Sequence, residues 1–190
     1  MARNIEIKAR IASVEALAPR VAALAEAGPT AIEQDDTFFP CPTGRLKLRQ
    51  LSPTEGQLIF YQRPDATGPK TSHYEIAPVH APQALRQVLE QAFGACGRVR
   101  KQRILYVCGR TRVHLDRVEG LGDFLELEVV LGENEAEVAG LAEARRLMAA
   151  LGLGEDALVA GGYADLLAAA GQDGRPRKKA LGTGMSGQFG

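Results

Sequence analysis

The chain has 190 residues, 45% hydrophobic and 24% charged, a composition of globular proteins with room for one sizeable core. Its 23 Lys and Arg balance 23 Asp and Glu, so no overall field points to nucleic acid or an anionic membrane, and no apolar run reaches the roughly 20 residues of a membrane span. Cys41, Cys96 and Cys108 are odd in number and lack metal-ligand spacing, and the charged start is not a signal peptide, so the expectation is a cytoplasmic protein with reduced thiols.

Residues 4–11 alternate with the period of a strand, Ile5, Ile7 and Ala9 against Asn4, Glu6, Lys8 and Arg10. Ser13 is placed to cap a helix over residues 14–27, with Leu17, Val21 and Leu24 at helical spacing. Pro19 should kink that helix or mark a late start, and Gly28-Pro29 should end it. Residues 30–39 read as a second strand. After a turn, residues 45–49 form a third, with Arg45, Lys47 and Arg49 on one face. Residues 57–63 are its hairpin partner and align Ile59, Tyr61 and Arg63; residues 64–70 read as a polar loop and 71–77 as a further short strand. Pro82 suits the first turn of a helix to about residue 95, whose expected buried stripe is Leu85, Val88, Leu89 and Ala92.

Residues 99–108 alternate again, with Val99, Lys101, Arg103 and Leu105 on one face. A hairpin follows over residues 112–131. One of its faces carries Arg112, His114, Asp116, Glu126 and Glu128, the other Val113, Leu115, Leu125, Leu127 and Val129. Residues 134–151 are a long amphipathic helix, and a shorter helix around residues 163–170 closes the domain. The domain therefore spans residues 1–170, and the basic, then Gly-rich residues 171–190 read as a disordered tail.

Most strands thus pair an apolar face with a face of long charged side chains. An open antiparallel sheet with a wet face would explain any one of them. Taken together they point elsewhere, because like charges stacked along strands repel unless something compensates them. The set fits an α+β fold in which about eight strands close into an antiparallel barrel with a charged lumen and helices outside. Such a lumen suits a chain of phosphates carrying a hard cation: Arg and Lys bind phosphate oxygens, and carboxylates hold Mg²⁺ or Mn²⁺. No Ser-His-Asp or Cys-His arrangement is evident, and phosphoryl transfer needs none. His114 reads as a hydrogen-bonded structural histidine more than a base, and Tyr61 as lumen filling or a contact to a base or sugar.

The residues Glu6-Ile7-Lys8, Asp36 to Phe39, Arg45 to Arg49, Tyr61 to Arg63, Ser72 to Glu75, Lys101 to Arg103, Arg112 to Asp116 and Leu121 to Glu128 carry, in this order, a resemblance to the CYTH superfamily of triphosphate tunnel metalloenzymes. That family includes class IV adenylate cyclases, thiamine triphosphatases and inorganic triphosphatases, and the likeness runs from about Asn4 to Leu167. It implies an eight-stranded tunnel, Mg²⁺ or Mn²⁺ as cofactor, and a small-molecule triphosphate as the partner, without nucleic acid or membrane, a homodimer being left open. By the resemblance, Glu6, Asp116, Glu126 and Glu128 correspond to metal ligands. Lys8, Arg45, Lys47, Arg49, Arg63, Lys101, Arg103 and Arg112 correspond to triphosphate contacts, with Lys8, Arg63 and Asp116 assigned to catalysis. The expected reaction is hydrolysis of the triphosphate; the alternatives are cyclisation of ATP to cyclic AMP and pyrophosphate, or non-catalytic binding of a polyphosphate or nucleotide. The chain departs from the family's first-strand pattern at Asn4, where a Glu is usual and an amide brings no charge.

Overall fold

A computed structural model of the chain describes residues 2–171. The elements run β1 (Ala2–Arg10), α1 (Val14–Ala22), β2 (Ala27–Phe39), β3 (Arg45–Gln50), β4 (Gly56–Gln62), β5 (Lys70–Val79), α2 (Pro82–Phe93), β6 (Gly97–Cys108), β7 (Thr111–Val118), β8 (Gly122–Val130), α3 (Glu137–Ala150), a 3-10 turn (Glu155–Ala157) and α4 (Tyr163–Ala169). Of the expected tail, residues 172–190 lie outside the described residues.

The strands pair antiparallel in the ring order β1-β5-β4-β3-β2-β6-β7-β8, and β1 pairs with both β5 and β8, which closes the barrel. Closure leaves no row of unpaired backbone groups at an edge. The apolar faces of the strands point outward. Ile5, Ile7, Val113, Leu115, Leu125, Leu127 and Val129 are fully buried beneath α1 and α3, which contribute Val14, Leu17 and Val21, and Ala144, Leu147 and Met148. Each such side chain removed from water stabilises the fold by roughly 1.5–3 kcal/mol. The principal core therefore lies between barrel and helices, and the lumen is left for polar groups.

Ser13 caps α1 as expected, its hydroxyl accepting from the backbone N–H of Ala16. The helix ends at Ala22, five residues short of expectation. Pro19 is accommodated inside it, and the chain is already in β2 by Ala27, so Gly28-Pro29 sits at a register shift inside that strand instead of ending the helix. Helix α2 also differs. It rests mainly on β2 and β3 and buries Pro82, leaving Leu85 and Leu89 half-buried, Ala92 exposed and Val88 61% exposed. Lys70, expected in a loop, opens β5 and is buried opposite Glu6. No helix among the described residues is long and apolar enough to cross a membrane.

Candidate active site in the barrel lumen

The two-residue period of the strands sends every second side chain inward. The result is a cavity of about 380 Å³ lined by seven cations, Lys8, Lys47, Arg49, Arg63, Lys101, Arg103 and Arg112, against four carboxylates, Glu6, Asp36, Glu126 and Glu128. The excess of positive charge persists when Asp116, buried just behind the wall, is added. A chain of zero formal net charge thus holds a local excess of cations in its lumen.

Register sets the pattern. Lys8 and His114 lie on either side of Glu126, in β1 and β7, and Lys8 Nζ is 2.9 Å from Glu126 Oε1. Glu6 faces Glu128 directly, a repulsive pairing relieved by Arg63 on Glu6 and by Arg112, whose Nη2 is 2.8 Å from Glu128 Oε2. Arg103 faces Asp116 and donates to both its oxygens at 2.6 Å, and also reaches Glu126. Lys101 Nζ and the Tyr163 hydroxyl each donate to Asp116 Oδ2 at 2.9 Å. Across the barrel, Asp36 accepts from Lys47 at 2.8 Å and from two nitrogens of Arg49 at 2.8 Å. Acids and bases are thus interleaved from strand to strand, so the like charges stacked along one strand are compensated by opposite charges on its neighbours.

Two sequence assignments sit off the cavity wall. Asp116 is fully buried with its oxygens occupied by Lys101, Arg103 and Tyr163. Arg45 points to one end of the barrel, where it grips Asp65 at 2.7 Å and Asp165 at 2.6 Å. The other assigned residues, Glu6, Lys8, Lys47, Arg49, Arg63, Lys101, Arg103, Arg112, Glu126 and Glu128, all line the one cavity.

Charge state follows from these contacts. Burial would raise the Asp36 carboxyl, but Arg49 and Lys47 outweigh it and hold it well below the usual range. Burial and then Arg49 push the Lys47 ammonium down to about 8, against the pull of Asp36. Burial also opposes ionisation of Glu126, yet Lys8, Lys101 and Arg103 prevail and keep it far below an ordinary glutamate. For Glu128 the balance of burial against His114, Arg112 and Arg103 gives about 2. His114 is driven down to about 4 by burial and Arg103, so its ring is neutral near pH 7.

The two ends differ. Val99, Val118, Phe124, Tyr163 and Leu167 form an apolar plug at the end where α4 packs. Tyr163 anchors it, edge-on to Phe124 with centroids 5.0 Å apart and with Lys8 Nζ 3.8 Å over its ring. The opposite end is rimmed by Ile32, Tyr74, Ile76, Leu105 and Arg112, with Ile76 46% exposed.

Several buried polar atoms in the lumen have no protein partner: Asn4 Oδ1, Gln34 Oε1, Arg63 Nε and Nη2, and His114 Nδ1. Buried donors and acceptors left unmet are costly, so such atoms mark where a ligand would be received. Sequence reasoning gave no role to Asp36, Lys70 or Tyr163. Asp36 shares the inward face of Gln34 and Phe38, and Lys70 continues the period of Ser72 and Tyr74; that alternation was the available signal. Nothing local in the sequence brings Tyr163 to Asp116, 47 positions away.

A family model described as the CYTH domain matches residues 2–163. Solved structures share the fold. The PH1012 protein of Pyrococcus horikoshii OT3 is 24% identical with a TM-score of 0.76, over 86% of this chain and 98% of that one. A candidate adenylate cyclase of Vibrio parahaemolyticus is 19% identical with a TM-score of 0.69, over 87% of this chain and 97% of that one. HpAC1 of Hippeastrum, described as a candidate adenylyl cyclase with a dominant triphosphatase activity, is 22% identical with a TM-score of 0.59, over 89% and 96%. No curated protein matches the chain.

Proposed function

The chain belongs to the CYTH domain family, and from that premise we propose that it is a divalent-metal-dependent enzyme that hydrolyses the triphosphate group of a small molecule to a diphosphate and phosphate. The observation that carries this reading is one enclosed cavity in which seven cations outnumber four carboxylates. Only a compact polyanion relieves that excess while reaching so many donors. Arg63 adds a specific demand, since its Nε and Nη2 are buried and unmet while its Nη1 is held by Glu6. A phosphate oxygen pair would satisfy that fork.

In this reading Lys47, Arg49, Arg63, Lys101, Arg103 and Arg112 hold phosphate oxygens, already fixed in place by their carboxylate partners. Lys8 and Arg63 neutralise the charge that grows on the oxygens as the bridging bond breaks. Asp116 is a positioning residue that sets Lys101 and Arg103 through its two oxygens. Glu6, Glu126 and Glu128 supply the metal site. The donors present fit a divalent ion: Glu126 and Glu128 stay ionised near pH 7, and the carboxylate of Glu6 belongs to the same cavity. When bound, Mg²⁺ or Mn²⁺ neutralises phosphate charge and polarises the phosphorus under attack. The triphosphatase activity described for the Hippeastrum relative is in keeping with hydrolysis over cyclisation.

The test is incubation with tripolyphosphate, ATP and thiamine triphosphate, each with Mg²⁺ and with Mn²⁺. The expected result is phosphate release that disappears on chelation and falls at least about 100-fold in Glu126→Gln. Cyclic AMP and pyrophosphate as sole products from ATP would replace hydrolysis by cyclisation. Tight binding without turnover would make the protein a sensor.

A further inference from the structure

We propose that His114 is a nitrogen ligand of the lumen's divalent cation, and that it biases the site toward a first-row transition ion such as Mn²⁺ over Mg²⁺. The inference rests on the metal-dependent reading above and goes beyond it, since that reading needs only carboxylates.

His114 is 4% exposed, on the inward face of β7 directly opposite Glu126. Its Nδ1 is buried and has no hydrogen-bond partner. The nearest carboxylate oxygens are Glu128 Oε1 at 3.8 Å and Glu126 Oε2 at 4.0 Å, both beyond hydrogen-bonding reach. A ring nitrogen at that spacing from two carboxylates is in an unfavourable place on its own. If it bears a proton, the N–H is unspent beside two acceptors. If it bears a lone pair, that lone pair faces two negative charges. A cation between the three groups removes the conflict: with the ring proton on Nε2, it takes the Nδ1 lone pair and both oxygens at once.

The spacing agrees. His114, Glu126 and Glu128 each offer one atom such that all lie within 4.8 Å of one another. Ligands across an ion at about 2.2 Å from it are separated by about 4.4 Å, so closing by a few tenths of an ångström completes the set. An imidazole nitrogen is a softer donor than a carboxylate oxygen, so it adds more affinity for a transition ion than for Mg²⁺. The simpler alternative is a histidine that merely fills the lumen, with no part in binding.

Pulsed electron paramagnetic resonance on the full chain loaded with Mn²⁺ separates the two. The protein has three histidines, so the measurement uses a His73→Gln/His80→Gln double variant, which leaves His114 and the lumen untouched. The expected result is a nitrogen hyperfine coupling to Mn²⁺ that changes in the way ¹⁵N demands when histidine is ¹⁵N-labelled. In parallel, calorimetry on His114→Phe should show Mn²⁺ bound about tenfold more weakly and Mg²⁺ changed by less than about twofold. Stoichiometric Mn²⁺ binding by the double variant without nitrogen coupling overturns the inference and leaves the metal-dependent reading standing. Equal weakening of both ions in His114→Phe overturns the proposed bias. Absence of any Mn²⁺ binding by the wild-type protein overturns both readings.

Discussion

Lys47 shows how far a single lumen residue could be read in advance. The alternation of residues 45–49 puts it on the inner face, and there it is. The partner that governs it, Asp36, could not be seen, because the β2–β3 register that brings them together joins positions 11 apart across a turn. With Arg49 on the same aspartate and little water nearby, the Lys47 ammonium loses its proton at about 8 where an ordinary lysine does so near 10.5. Above pH 8 the wall therefore holds one cation fewer. Calorimetric affinity for tripolyphosphate should fall as pH rises through about 8 to 9, and Lys47→Met should bind more weakly throughout and lose that limb. Stability moves the other way. Between about pH 8 and 10.5 the unfolded chain holds the proton that the folded protein has released, so this residue's contribution makes the fold more stable as pH rises through that window.

Elements were legible in kind because their periods are strong: every strand seat and all four helices were foreseen, and the errors fall at ends and faces. Helix α1 carries Pro19 inside it and stops at Ala22, Lys70 proves to be a strand residue, and α2 leaves Val88 in water, since packing partners and not periodicity decide which face is covered. Helix α3 is the element on which the site leans most. Its Gly140 lies so close to β1 and the segment after β8 that an added Cβ would sit 2.8 Å from Ile5 Cγ1 and 2.7 Å from Leu131 Cδ2. Alanine is the better helix former by about 1 kcal/mol, whereas overfilling a tight core costs about 1–3 kcal/mol. Gly140→Ala should destabilise the protein by up to about 2 kcal/mol in urea titrations. Because Ile5 and Ile7 alternate along β1 with Glu6 and Lys8, turnover should fall with it. A gain of about 1 kcal/mol, the helix preference alone, would mean that α3 is free to slide away from the barrel.

At the scale of the whole molecule, the inverted pattern of apolar and charged faces made the closed barrel readable, because a flat sheet has nowhere to hide so many arginines. The interleaving of acids with bases was hidden, since it depends on the ring order and register of eight strands. The stopper at one end was hidden for the same reason: Tyr163 comes from the last described helix and Phe124 from β8. If that stopper shuts its end of the barrel, the lumen is a blind alley, and traffic in a blind alley runs last in, first out. On the proposed function, a triphosphate ester passing the rim of Ile32, Ile76 and Leu105 would then go in with its terminal phosphate leading. After the proposed hydrolysis, the freed phosphate would sit behind the diphosphate and leave second. Inorganic phosphate should then inhibit competitively against the triphosphate and the diphosphate product non-competitively, a pattern that steady-state kinetics reads directly; the reverse pattern would mean that the stopper lifts to open a back door.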